Sequence, residues 1–193
     1  MQGIALSGGA GALSIIFALI LVYKVIKGDE GNSAMQEIAK AIQEGSQAFL
    51  KREYTFLALF VAAVTIVLIA IPAIDWQTAA AYVAGAIVSG ATGYLGMSVA
   101  TRANVRTTAA AAKGLNPALR VAFSSGAVMG LMVVGVGLIG VSALYYIFGE
   151  YGATGSTSVA IHAEDIMGWI VGFSFGASSI ALFARVAGGI YTK

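Results

Sequence analysis

The sequence predicts an all-α membrane protein with five transmembrane helices and helical extensions on one side of the bilayer. Hydrophobic residues make up 59% of the 193 residues and charged residues only 10%, whereas soluble domains contain about 45–50% apolar and about 25% charged residues. The chain also contains apolar runs long enough to cross a bilayer, which takes about 20 residues. We therefore expect a single transmembrane helical region and no soluble domain of any size. The runs cover about residues 4–23, 55–74, 78–100, 121–148 and 166–190.

The first run is expected to stay in the protein as a membrane helix. A signal peptide begins with basic residues and ends at a cleavage site of small residues. Here no basic residue precedes the run, whereas Lys24 and Lys27 follow it. The run is therefore interpreted as a retained helix that is anchored by lysines at its carboxy-terminal end.

The second run is the last part of one long amphipathic helix. Ser33 and Gln36 fit a capping box, in which two side chains satisfy backbone N–H groups at a helix start. Apolar residues with helical spacing then lead into the run. Pro72 should end or kink this helix, because proline lacks an N–H group and clashes with the preceding turn. Asp75 is placed to cap the third helix.

The third run continues as a helix beyond the bilayer. Alanine-rich sequence favours helix as far as Lys113, and Gly114 supplies the left-handed residue at which helices commonly end. Asn116 and Pro117 fit the N-cap and the first position of the next helix. That helix contains the fourth run.

Small residues recur four positions apart in the last two runs. Gly126 and Gly130 lie in the fourth run, and Gly172 and Gly176 lie in the fifth. Such pairs let helix backbones approach closely within a membrane. We expect both pairs to support a compact helix bundle.

The distribution of charge predicts the orientation of the chain. The connections after the first and third runs are basic, whereas the other two carry acidic residues and no Lys or Arg. The positive-inside rule places basic connections in the cytoplasm, so the amino terminus should lie outside the cell membrane and Lys193 on its cytoplasmic face. The net charge of +2 then reflects topology and gives no reason to expect a nucleic-acid partner. The basic residues of the two connections are Lys24, Lys27, Lys40, Lys51, Arg52, Arg102, Arg106, Lys113 and Arg120.

Arg185 is the first candidate functional residue. It lies near the end of the fifth run, and an arginine at the bilayer centre costs about 2.5–3.5 kcal/mol on insertion scales. An arginine in this setting either has a partner and a task, or it snorkels to the interface and anchors the helix. The residues alone leave both interpretations open. Cysteine chemistry is excluded because the chain has no cysteine, and the only histidine, His162, has no second ligand at metal-binding spacing.

Three segments of the chain resemble segments of a known family in sequence and in order. They are EIAKAIQEGSQAFLKREY (37–54), GYLGMSVATRANVRTTAAAAKGLNPALR (93–120) and GFSFGASSIALFARVAGGIYTK (172–193). The family is that of the membrane-bound, ion-pumping inorganic pyrophosphatases. The resemblance covers nearly the whole chain and implies the amino-terminal part of a longer protein, a bundle of about sixteen transmembrane helices.

The resemblance implies an enzyme that hydrolyses magnesium pyrophosphate at the cytoplasmic face and moves H⁺ or Na⁺ out of the cytoplasm. Arg185 matches an arginine of the ion-conducting gate, and Lys193 matches a lysine that contacts pyrophosphate. Mg²⁺ is the implied cofactor, with K⁺ or Na⁺ as further ions. The matching metal-binding aspartates come after Lys193, so no metal ligand is expected in this chain, which should be inactive alone. The implied partners are pyrophosphate, the lipid bilayer, the remaining helices of the pump and, in the full-length protein, a second copy.

Other charged residues of the three segments are expected to have structural roles. Arg52 and Glu53 belong to a pattern of alternating charges that is typical of a solvated helix face. Arg102, Arg106 and Arg120 are expected to contact lipid headgroups. No acidic residue is expected deep in any of the five runs.

Two other classes of protein are alternatives to the pump. A segment of a secondary transporter or channel for a small anion or ion would use Arg185 for binding or gating. Such proteins favour helices broken near the midplane, whereas the only prolines, Pro72 and Pro117, lie toward the ends of runs. A structural subunit or rotor-ring proteolipid is suggested by the 25 glycines, but a rotor protein needs a membrane carboxylate that these runs are not expected to supply.

Overall fold

The computed structural model describes the backbone of residues 2–147 and 163–191, and the side chains of residues 3–147 and 166–186. Within these ranges the chain forms five long helices, and each is long and apolar enough to cross a membrane. The predicted all-α membrane fold is confirmed. The helices are α1 (Gln2–Ile26), α2 (Ser33–Ala70), α3 (Trp76–Ala111), α4 (Leu115–Tyr145) and α5 (Ala163–Tyr191).

The third helix is the centre of the described bundle. It contacts each of the other four helices, with the most extensive packing against α5, followed by α4 and α2. The first helix packs chiefly on α4, and α2 meets α5 along a short stretch only. Many large apolar side chains point outward, such as Leu13, Ile66 and Ile87. An outer surface of this kind suits a hydrocarbon solvent.

Backbone atoms of α3 and α5 approach closely at glycines. A Cβ atom on Gly172 would lie 2.6 Å from the carbonyl oxygen of Thr78, and one on Gly176 would collide with the carbonyl of Tyr82. From the other side, a Cβ atom on Gly85 would collide with the carbonyl of Phe173. The expected role of the glycine pair in α5 is confirmed.

The glycine pair predicted to pack in α4 does not do so within the described residues. No described heavy atom of another element lies within 4 Å of a Cβ built on Gly126 or Gly130. The contact between α4 and α1 instead uses Gly135 and Gly11, where each built Cβ would lie within 2.8 Å of the other residue's carbonyl oxygen. A four-residue spacing of small residues therefore does not reveal which helix face meets a neighbour among the described helices.

The ends of the helices differ in part from those predicted. Asn32, rather than Ser33, caps α2: its side chain accepts a hydrogen bond of 2.9 Å from the Met35 N–H. The side chain of Gln36 donates to the carbonyl of Gly31 at 3.1 Å, so it does not accept from a backbone N–H as the predicted capping box requires. Asp75 occupies the N-cap position of α3 but makes no capping hydrogen bond with its side chain.

The turn between α3 and α4 lies two residues earlier than predicted, because α3 ends at Ala111 instead of Lys113. Gly114 has the positive φ of 130° that favours glycine, and it directly precedes α4. The fourth helix then begins at Leu115 instead of Pro117. Proline is tolerated there because the N–H groups of the first helical turn have no partner within the helix. At the other side of the bundle, α2 ends at Ala70, two residues before Pro72.

The glycine contact predicts opposite effects of one substitution at two positions. Gly176→Ala should destabilise the bundle by about 1–3 kcal/mol, because the methyl group forces the backbones of α3 and α5 apart. Gly126→Ala should be neutral or stabilising by up to about 1 kcal/mol, because alanine favours helix and the site is open. Thermal unfolding of the detergent-solubilised protein measures both. Equal effects of the two substitutions would contradict the close contact.

Candidate functional site

Arg185 lies on α5 with its side chain exposed. Among the described side chains it makes no ion pair, and the preceding residue, Ala184, lines a cavity of the bundle. The structure therefore gives the predicted gate residue no ion-pair partner among the described side chains and does not place it on the wall of that cavity. Lys193 and His162 lie outside the described residues, so the role of Lys193 stays a prediction.

The cavity beside Ala184 has a volume of about 430 Å³ and lies between four helices. Most of its wall is apolar, and among the described residues no Lys, Arg or His lines it. Glu53 is the one charged residue among the described residues of the wall. The polar residues at its wall are Glu53 and Tyr54 of α2 and Ser89 and Thr92 of α3.

Glu53 has one carboxylate oxygen, Oε1, that is buried and has no hydrogen-bond partner among the described residues. A buried carboxylate oxygen without a donor is energetically costly. The adjacent Arg52 does not approach it within ion-pair distance, and its guanidinium lies 4.9 Å from the centre of the Phe56 ring. Glu53 is therefore half-buried, with one buried oxygen, and does not lie on a fully solvated helix face as the sequence predicted.

The three hydroxyl groups at the wall all donate their hydrogen elsewhere. Tyr54 donates to the Gly90 carbonyl at 2.6 Å, and Thr92 donates to the Val88 carbonyl at 2.8 Å. Ser89 donates to the carbonyl of Ala177 on α5 at 3.1 Å. Because each hydroxyl has one hydrogen, these oxygens can only accept a further bond. Together with the carboxylate they are a few hydrogen-bond acceptors among mostly apolar wall residues.

The position of Glu53 could have been found from helical periodicity. Leu50 and Leu57 are buried on α2 at 5% and 4% exposure, and Glu53 lies three residues after the first and four before the second. Residues at these spacings share one helix face. The alternating charges of the segment concealed this register, because they suggested a solvated face over its whole length.

A second group of charges joins the connection between α1 and α2 to the end of α3. Arg106 is only 7% exposed and its guanidinium pairs with Glu30, which is half exposed, at 2.6 Å. The guanidinium also donates to the backbone carbonyls of Ile26 at 3.0 Å and Arg102 at 2.6 Å. The expectation that Arg106 contacts lipid headgroups is therefore wrong. The basic residues of this segment recur at regular intervals, and this pattern does not indicate that one face of the segment is buried.

The neighbouring pair, Asp29 and Lys113, is exposed and lies 3.0 Å apart. The N–H of Gly31, which donates to the Asp29 carboxylate at 2.9 Å, lowers the pKa of that carboxyl, and the charge and hydrogen bond of Lys113 lower the pKa further. Arg120 lies with both on the wall of a shallow basic cavity of about 540 Å³. Ion pairs therefore join the connection between α1 and α2 to the end of α3.

The described residues do not provide a magnesium site. They contain no group of three or more acidic, histidine or cysteine side chains that could hold a metal ion. Mg²⁺ is bound by oxygen ligands with near-octahedral geometry, commonly one or two carboxylates with phosphate oxygens and waters. A single carboxylate such as Glu53 does not meet that requirement.

The fold and the cavity define, within the described residues, a polytopic α-helical membrane protein with a partly buried glutamate on the wall of a cavity in the bundle. Residues 12–193 match the family model described as inorganic H⁺ pyrophosphatase. The chain therefore belongs to the family of membrane-bound inorganic pyrophosphatases, which confirms the resemblance found in its three segments.

Individual relatives agree with this assignment. The chain is 44% identical to a K⁺-insensitive pyrophosphate-energized proton pump of Methanosarcina mazei and 46% identical to another of Moorella thermoacetica. It is 50% identical to a protein of Clostridium tetani whose name describes a K⁺-stimulated pyrophosphate-energized sodium pump. Each match covers 95% of this chain and 25% of the relative. The chain thus spans about a quarter of the length of the relatives that it matches.

The ion pair of Arg106 predicts a specific loss of stability. Arg106→Gln should cost about 1.5–3 kcal/mol, because it removes charged hydrogen bonds from Glu30 and from two carbonyl groups. Arg102→Gln, on the exposed side of the same helix, should change stability by less than about 0.5 kcal/mol. Thermal unfolding midpoints of both variants measure the difference, and equal midpoints would show that the buried pair is unimportant.

The lowered pKa of Asp29 predicts a dependence of stability on pH. The stabilisation is present above the usual carboxyl pKa of 3.8 and is lost as the pH falls through the lowered pKa of the folded protein. Between pH 6 and pH 3 the unfolding midpoint of the wild type should fall more steeply than that of Asp29→Asn. Parallel curves for the two proteins would contradict a stabilising role of the carboxylate.

Proposed function

We propose that the chain is part of a membrane pump that hydrolyses inorganic pyrophosphate and couples the hydrolysis to the movement of H⁺ or Na⁺ out of the cytoplasm. The match of residues 12–193 to the pyrophosphatase family carries this proposal. Relatives named as pyrophosphate-energized pumps support it across 95% of the chain. The family match favours the pump over a segment of a secondary transporter or channel.

Two residues of the chain are proposed to act directly. Lys193 binds pyrophosphate, because an ammonium group can neutralise the phosphate oxygens as charge develops on the leaving group. Arg185 contributes to the gate through which the ion passes. Eight residues separate them, which is about 12 Å along a helix at 1.5 Å per residue. That separation suits a pump in which the gate lies below the hydrolytic site.

The rest of the catalytic apparatus is proposed to lie in other parts of the pump. Mg²⁺ would activate the attacking water and neutralise charge on pyrophosphate, with ligands outside this chain. The chain alone is therefore inactive. The full-length pump is proposed to be a homodimer in the cell membrane, with the amino terminus outside and Lys193 in the cytoplasm, since the basic connections then lie inside.

The pumped ion is proposed as either H⁺ or Na⁺, with K⁺ as a further ion. Relatives named as proton pumps are 44% and 46% identical to the chain, and one named as a sodium pump is 50% identical. Similarity over this quarter of the relatives therefore does not separate the two ions. The residues that discriminate between them would lie on other helices.

The experiment uses membrane vesicles that contain a full-length pump with this sequence. Magnesium-dependent phosphate release from pyrophosphate and ion uptake are measured for the wild type, Lys193→Ala, Arg185→Ala and the control Arg102→Ala. Lys193→Ala should lower hydrolysis at least about 100-fold, as expected for the loss of a group that stabilises transition-state charge. Arg185→Ala should lower the amount of ion moved per pyrophosphate hydrolysed, and Arg102→Ala should change neither quantity.

Two outcomes would contradict the proposal. If the folded wild type releases no phosphate from pyrophosphate in any combination of Mg²⁺, Na⁺ and K⁺, the chain does not belong to an active pyrophosphatase. If Lys193→Ala retains wild-type hydrolysis, Lys193 anchors the helix at the membrane surface and does not bind the substrate.

A further inference from the structure

The basic cavity of about 540 Å³ lies between the connection of α1 and α2, the end of α3 and the beginning of α4. Three of the four charged residues on its described wall are basic, namely Arg106, Lys113 and Arg120, and the fourth is Asp29. Arg106 pairs with Glu30, and Lys113 pairs with Asp29. The three cationic side chains are thus balanced by two carboxylates, which leaves one positive charge over.

That remaining charge belongs to Arg120. Its side chain is exposed and makes no ion pair with a described side chain. Arg106 differs, because it is buried and its guanidinium already donates to Glu30 and to two backbone carbonyls. A guanidinium binds a phosphate group through two parallel hydrogen bonds. Arg120 can therefore bind an anion that the described residues do not supply.

The cavity lies at the level where two apolar spans end. The first helix ends at Ile26, two residues before Gly28, which lines the cavity. The apolar run of α4 begins at Val121, which also lines the cavity. The phosphate groups of a bilayer lie just outside its hydrocarbon core, at the ends of such spans. Tyr23 and Phe123 are exposed close to these two ends, as is typical of aromatic side chains at a membrane interface.

Charge and position together favour the phosphate group of a lipid. A phosphodiester carries one negative charge, which balances the uncompensated charge of Arg120. Basic pockets between transmembrane helices bind anionic lipid headgroups in this manner. A zwitterionic lipid fits less well, because its own cation already neutralises its phosphate. The ligand that suits the cavity is therefore a phospholipid with a net negative charge.

We propose that this cavity binds the phosphate group of one anionic phospholipid and that Arg120 is the residue that pairs with it. The side chain of Asn116 lines the same cavity, and its amide supplies a further donor. The sequence predicted headgroup contacts for Arg102 as well as Arg120, but Arg102 does not line the cavity. The proposal rests on the membrane fold and goes beyond the pump function, because lipid binding does not require turnover of pyrophosphate.

The test is binding of phosphatidylglycerol to the purified, delipidated full-length protein in an uncharged detergent. Native mass spectrometry counts the lipids bound per chain for the wild type, Arg120→Gln and the control Arg102→Gln, an exposed position of α3. Arg120→Gln should lower the affinity of one lipid site by about tenfold or more, as expected for the loss of charged hydrogen bonds. Arg102→Gln should bind as the wild type does, and binding of phosphatidylcholine should be equal in all three proteins.

A second variant adds a negative charge to the wall of the cavity. Asn116→Asp should weaken phosphatidylglycerol binding severalfold, because the new carboxylate repels the phosphate. The variant should fold, since a negative charge in the first turn of a helix is favourable. Asn104→Asp is the matched control, because Asn104 is exposed on α3 and does not line the cavity. Its lipid binding should equal that of the wild type.

Inorganic phosphate is a soluble source of the same chemistry, and a separate measurement distinguishes it from the lipid. A ligand that binds the folded state raises the unfolding midpoint. Replacing chloride by phosphate at constant ionic strength should change the midpoints of the wild type and Arg120→Gln equally. A rise that requires Arg120, without any dependence of lipid binding on Arg120, would assign the site to a soluble anion and overturn the lipid proposal.

The proposal is also overturned if Arg120→Gln binds phosphatidylglycerol as tightly as the wild type, which is the outcome if the rest of the protein covers the cavity. If Arg120→Gln fails to fold, Asn116→Asp decides, and unchanged lipid binding by that variant overturns the proposal. Lipid binding that depends on Arg120 in a folded protein without pyrophosphate hydrolysis would support the lipid site and contradict the pump function. The two proposals can therefore fail separately.

Discussion

The close contact between the backbones of α3 and α5 is the constraint on which the rest of the described bundle depends. Lipid tails are as apolar as the side chains, so helices in a membrane associate mainly through close packing and hydrogen bonds. Here glycines bring the two backbones together: Gly85 on α3 meets the carbonyl of Phe173, and Gly176 on α5 meets that of Tyr82. The hydrogen bond from Ser89 to Ala177 continues the contact by one turn.

The same contact explains why a cavity exists beside it. The second helix meets α3 through a large side chain instead of glycine on glycine: the ring of Tyr54 lies 3.5 Å from a Cβ built on Gly90, and its hydroxyl donates to the Gly90 carbonyl. A helix held off by a tyrosine ring cannot approach as closely as α5 does. The space left between α2 and the pair of α3 and α5 is where Glu53 projects its buried oxygen.

Ion pairs and hydrogen bonds hold helices together at one end of the bundle, and close packing at small residues holds them together within the apolar spans. Arg106 satisfies backbone carbonyls of α1 and α3 and holds Glu30 between them. The connection between α1 and α2 is thereby tied to α3 by a guanidinium with three partners, which an ammonium could not match in geometry. The bundle thus combines small-residue contacts within the apolar spans with an ion-pair network at one end.

The all-α membrane fold was predictable from the sequence, because the length and hydropathy of a run decide whether it can span a bilayer. The family was also predictable, through three segments that include Arg185 and Lys193, and so was the glycine pair that packs in α5. The buried faces of the helices became visible in the structure alone. In the described structure Gly126 and Gly130 are open, Arg106 is buried, and Glu53 lines a cavity. The burial of a residue depends on where the neighbouring helices lie. Their positions depend on contacts between residues that are far apart in the chain.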